Sequence, residues 1–115
     1  MDIIPVLSRA QFETEVRDKW VAVFDKRPAF RATFGTPRIG KVQNGHFYIT
    51  PGALRPAAEL LIKGAGHELQ QLSSSSSDRD VVYPGFSITG RSEAELERFV
   101  AVLRNVVNSH INVAA

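Results

Sequence analysis

The chain contains no cysteine and only one tryptophan, one methionine and two tyrosines among its 115 residues. Without cysteine there is no disulfide framework, no thiolate zinc site and no thiol nucleophile. No stretch approaches the roughly 18 consecutive apolar residues of a membrane span. The opening Met1-Asp2-Ile3-Ile4-Pro5 carries an acid where a secretory signal carries bases, and its apolar run is too short for a signal core. These absences point to a cytoplasmic protein that does not engage a membrane.

The most informative absence is local. Between Lys26 and Arg55 there is no aspartate or glutamate, while Lys26, Arg27, Arg31, Arg38, Lys41 and Arg55 all fall there. Acids gather on either side, at Glu13, Glu15 and Asp18 and again at Asp78, Asp80, Glu93, Glu95 and Glu97. A net charge of +2 therefore conceals a basic block in an otherwise balanced chain.

What is present is enough for a core. Hydrophobic residues make up 43% and charged residues 23%, the proportions of an ordinary globular domain. A chain of this length buries roughly two thirds of the surface its unfolded form exposes, so no metal staple is required. The expectation is one α+β domain over residues 1–115, with a flexible serine-rich loop at 73–80.

Ser8 and Gln11 have the spacing of a capping box, and Leu7 and Phe12 that of a hydrophobic staple. Phe12, Val16, Trp20, Val23 and Phe24 recur at helical spacing, which predicts one long helix over 8–25. A competing reading ends the helix near Lys19 and makes 20–24 a strand, because Trp20-Val21-Ala22-Val23-Phe24 is β-prone. Pro28 stops the helix in either case.

Phe30-Arg31-Ala32-Thr33-Phe34 alternates as a strand does. Asn44-Gly45 then joins 38–43 to 46–50 as a tight hairpin, since a type I′ turn needs positive φ at both central positions. A short helix is expected from Pro56 to Lys63, stopped at Gly64. Residues 68–72 are ambiguous. The runs 81–83 and 86–89 read as strand pieces broken or bulged at Pro84-Gly85. Ser92 and Glu95 form a second capping box, and Leu96, Phe99, Val100, Leu103, Val106, Val107 and His110 hold an apolar stripe behind it. Arg91, Glu93, Glu97, Arg98 and Arg104 fall off that stripe, so they are expected in solvent. The order is α-β-β-β-α-β-α: an antiparallel sheet of three to five strands, with two long helices and one short one packed on a single face.

Catalytic motifs are missing. Gly35-Thr36-Pro37-Arg38-Ile39-Gly40-Lys41 matches the string of a phosphate loop, but Val42 stands where a serine or threonine must hold magnesium. A strand follows where a helix is needed. His46, His67 and His110 lie on different elements and do not suggest a metal site. No nucleophile, base, metal or cofactor is indicated, so the chain reads as a non-enzyme.

The basic block remains. Arg31, Arg38 and Lys41 are interleaved with Phe30, Phe34, Phe47 and Tyr48, the mixture with which sheet platforms hold phosphates and stack bases. Arg27, Arg31, Arg38, Lys41, Tyr48 and Arg55 are the candidate ligand-binding residues. The expected function is a binding module for an anionic ligand, either nucleic acid or a nucleotide. The alternative is a small regulator or inhibitor that binds a protein, or a homodimer, through Val102, Ile111 and Val113.

Overall fold

Proline and glycine punctuate the chain, and the elements fall between them. A computed structural model of the chain describes residues 2–51, 54, 63, 70–73 and 82–111. Helix α1 (Ile4–Arg9) begins with a proline in its first turn, where a missing N–H costs nothing. The Asp2 carboxylate accepts the Ile4 N–H at 3.0 Å. Strands β1 (Glu13–Val16) and β2 (Val21–Phe24) follow as a hairpin. Helix α2 (Pro28–Phe34) starts on a proline and ends on Gly35 at φ 75°, the left-handed position that favours glycine.

Strands β3 (Arg38–Gln43) and β4 (His46–Ile49) turn at Asn44 and Gly45, with φ of 51° and 73°. Strands β5 (Gln70–Ser73) and β6 (Val82–Ser87) and helix α3 (Glu93–Ile111) complete the described elements. The strands form one sheet of six in the order β1-β2-β3-β4-β6-β5, and every pairing is antiparallel.

The α+β class stands, with helices packed on one face of an antiparallel sheet. The helix expected over 8–25 does not exist: residues 4–9 are helical and the rest is mostly the β1–β2 hairpin. Ser8 lies inside α1, and the Leu7–Phe12 pair marks the helix end. The Phe12 N–H donates to the Leu7 carbonyl at 3.0 Å and the Gln11 N–H to the Ser8 carbonyl at 3.0 Å, with Gln11 at φ 68°. That is a Schellman termination, whose accompanying apolar contact spans the same five residues.

The strand expected over 30–34 is α2. Phe30 and Phe34 are also one helical turn apart, and their rings meet at 4.7 Å. Pro84 and Gly85 do not break β6. The helix expected at 56–63 lies outside the described residues except for Lys63, which is helical. The serine run is described only at Ser73, where β5 ends.

The core forms between the helices and the inner sheet face. Leu7, Phe30 and Leu103 meet Val23, Phe47 and Phe86 there, all fully buried. Phe99 stacks on Phe86 at 4.0 Å between ring centroids and meets Phe47 edge-on at 5.6 Å. Such aromatic pairs add to the area they bury.

Helix α3 is capped as expected. The Glu95 N–H donates to Ser92 Oγ at 3.2 Å, and the Ser92 N–H donates back to Glu95 Oε1 at 3.2 Å. The Ser92 N–H, and then Arg91, hold Glu95 below the usual carboxylate range. Its stabilising effect is therefore present above that range and is lost as pH falls through the lowered value. Replacing Ser92 with Ala should cost about 1 kcal/mol in chemical denaturation with an unchanged slope.

Gly40 is needed for space. A Cβ there would collide with the Tyr48 carbonyl oxygen and lie 3.0 Å from the Phe47 ring. Gly40→Ala should therefore lose about 3 kcal/mol or more, because the obstacle includes backbone that cannot swing aside.

Candidate functional site

Alternation along β2 sends Val21 and Val23 to the helices and Ala22 and Phe24 to the opposite, outer face, with Trp20 continuing the outer row. Register carries the row across the sheet. Ala22 pairs with Lys41, Lys41 with Tyr48, and Tyr48 with Gly85. His46 and Gln43 pair one step along and face the same way.

Arg38 reaches this face through an irregularity. Val23 pairs with Gly40 but Phe24 pairs with Arg38, so Ile39 is an extra residue in β3. It turns into the core, fully buried, and the phase of the strand slips by one. In a regular strand Arg38 and Lys41 would lie on opposite faces. With the bulge they share one.

Trp20 gathers the cations. The Arg38 guanidinium lies 4.5 Å from its ring centroid, the Lys41 ammonium 5.6 Å and the Arg17 guanidinium 5.9 Å. Lys41 is also 5.6 Å from the Tyr48 ring, and Tyr48 is 6.2 Å from that of His46. Trp20, Arg38, Lys41 and Tyr48 are all partly exposed. Arg17 shares its charge with Glu15 at 2.9 Å across an open surface, an arrangement of small energetic weight. Partial burial, and then the neighbouring Arg38 charge, lower the pKa of Lys41.

Of the sequence candidates, Arg38, Lys41 and Tyr48 come together. Arg31 does not join them. It is exposed on α2, because 28–34 is a helix and not a strand of the basic sheet. Arg27 is also elsewhere, clasping the Asp25 carboxylate through Nε at 2.9 Å and through Nη2. Arg55 lies outside the described residues. Trp20 and Arg17 are additions. The signal for Trp20 was the β-prone run 20–24, whose strand reading places it beside Ala22 and Phe24.

A second cluster surrounds Asp25, the one buried charged residue among those described, 1% exposed. Arg104, expected in solvent, turns inward to it, with Nη1 at 3.7 Å from Asp25 Oδ2. Its Nη2 donates to Gln11 at 3.1 Å. Together with Glu13 and Lys26 these residues line an open hollow of about 290 Å³.

Ile111 is buried and Val102 is half-buried against the core, which leaves little apolar surface at these two positions. Val113 lies outside the described residues. His110 packs beside Phe34, and its Nδ1 is 3.0 Å from the Val106 carbonyl. Among the described residues no group of three or more histidines and acids converges as a metal site would. No helix among them is long and apolar enough to cross a membrane. No protein-family model, curated protein or solved structure matches the chain.

The lowered Lys41 pKa gives a pH signature. The unfolded chain, with the higher pKa, binds more protons, so stability should rise with pH in the window below the ordinary lysine value. Parallel thermal melts of the parent and Lys41→Gln should show that rise in the parent and a smaller one in the variant.

Proposed function

We propose that the chain is a non-enzymatic binding module whose outer sheet face engages an anionic, ring-bearing ligand, a nucleic acid or a nucleotide. The supporting observation is the indole of Trp20 with three cations within 6 Å of its centroid, beside a second ring at Tyr48. Like charges held this close repel one another, and an indole face offsets only part of that repulsion. A phosphate offsets it directly and also gains charge-assisted hydrogen bonds from the guanidiniums.

The protein-partner reading has less behind it. Val16, 81% exposed, is the only large hydrophobic residue open to solvent among those described, and one such residue does not make an interface.

Salt separates the two readings, because phosphate contacts release counterions. Trp20 is the only tryptophan in the chain, so intrinsic fluorescence follows the site itself. A single-stranded oligonucleotide titrated at increasing salt should give a log–log slope of roughly −2 if Arg17, Arg38 and Lys41 each contribute about −0.7. Arg17→Ser, at an exposed position, should reduce the slope by about 0.7, and Arg38→Ser with Lys41→Ser should remove most of it. The proposal is overturned if no oligonucleotide or nucleotide binds at submillimolar protein, or if binding ignores both salt and these substitutions.

A further inference from the structure

We infer that the outer face takes a single-stranded polynucleotide in a two-base register, with one base on Trp20, the next on Tyr48, and the phosphodiester between them on Lys41. This rests on the anion-binding reading above and narrows it. The geometry that points to it is the place of Lys41. Its ammonium is 5.6 Å from the Trp20 centroid and 5.6 Å from the Tyr48 centroid. The two ring centroids therefore lie no further apart than twice that distance, with one ammonium shared by both. Ring, cation, ring is the complement of base, phosphate, base.

Arg38 and Arg17 also lie within 6 Å of the Trp20 centroid, and the His46 ring is 6.2 Å from that of Tyr48, so further phosphate-binding groups stand beside both rings. The ammonium lies over both rings at 5.6 Å from each centroid, and the Arg38 guanidinium over the Trp20 ring at 4.5 Å, so a base stacks by moving these long side chains from the ring faces onto its phosphates. Lys41 and Tyr48 are fixed relative to each other as directly paired residues of β3 and β4, and Trp20 immediately precedes β2.

Three ligand classes are ranked by this arrangement. A mononucleotide satisfies one ring and one cation. A single strand satisfies both rings and the cation they share. A duplex offers phosphates, but its base faces are already stacked on one another, so the two rings gain nothing from it.

The test uses the intact chain, with thymidine monophosphate, a thymidine dinucleotide, single strands of about eight nucleotides in deoxy and ribo form, and a duplex of similar length. Affinity is read from Trp20 fluorescence and from anisotropy of labelled strands. The dinucleotide should bind at least about fivefold more tightly than the mononucleotide, the lower end of one added stacking contact. Single strands of either sugar should bind more tightly than the duplex. Tyr48→Ala should bring the dinucleotide down to the mononucleotide level, and Tyr48→Phe, which keeps the ring, should restore it.

If duplex and single strand bind alike, or if the dinucleotide gains nothing over the mononucleotide on the parent, the two-base register is wrong even where salt-dependent binding persists. If no phosphate-bearing ligand binds at all, the anion-binding reading fails with it. The comparison of mononucleotide and dinucleotide needs no substitution, so it holds whether or not Tyr48→Ala folds.

Discussion

The carboxylate of Asp25 sits where β2 leaves the sheet, and four parts of the molecule meet at it. Its own N–H donates to the Pro37 carbonyl at 2.9 Å, holding the chain just before β3. Its oxygens accept from the backbone and side chain of Arg27, the residue that leads into α2. Arg104 approaches from the middle of α3 and reaches on to Gln11 just past α1. A carboxylate this deeply buried is tolerated only with opposite charge against it. Desolvation, and then Arg27, lower the pKa of Arg104, while Asp25 pulls it back up. Removing the acid would leave two guanidiniums facing each other across a partly dry hollow. Helix layer and sheet are thus held at one end by a charge balance that neither layer supplies alone.

The outer face depends on this arrangement without touching it. β2 is held at its far end by Asp25 and follows directly on Trp20, so the strand next to the indole is anchored where it enters the helix layer. The middle of the face is different in kind. Arg38 and Lys41 crowd one another around an aromatic ring, where partial burial and then the Arg38 charge lower the lysine pKa. Ionic order is buried around Asp25, while the outer face carries cations clustered around an indole.

How much of this could be read from the residues differs by element. The β3–β4 turn and the start of α3 were legible because Asn44-Gly45 and the Ser92/Glu95 pair act within four residues of themselves. The first third was not. Leu7 and Phe12 fit the start of one helix or the end of another, and only the positive φ of Gln11 separates the two. Phe12, Val16, Trp20 and Val23 fit a helical period, while Val21 and Val23 alternate as they do in the strand. Tertiary pairing with β3 decided between them. In the site, the acid-free run located Arg38, Lys41 and Tyr48. It said nothing of Arg17 and Trp20, which precede it, and it misassigned Arg31 with α2. Arg104 was missed because a helix position off the apolar stripe carries no sign of a buried acid contributed by another element.

The bulge at Ile39 makes the basic face a matter of chain length as much as of composition. One residue more than β2 requires is what turns Arg38 toward Lys41 while Ile39 fills the core. Inserting a single residue into β2 between Val23 and Phe24, opposite Ile39, would restore the regular alternation, carrying the guanidinium under the helices and an isoleucine out among the cations. Every residue type in the strand could survive such a change and the face would still be gone. A descendant of this sequence could therefore lose the basic face through one added codon, with its charge, its aromatic content and its fold class all but intact.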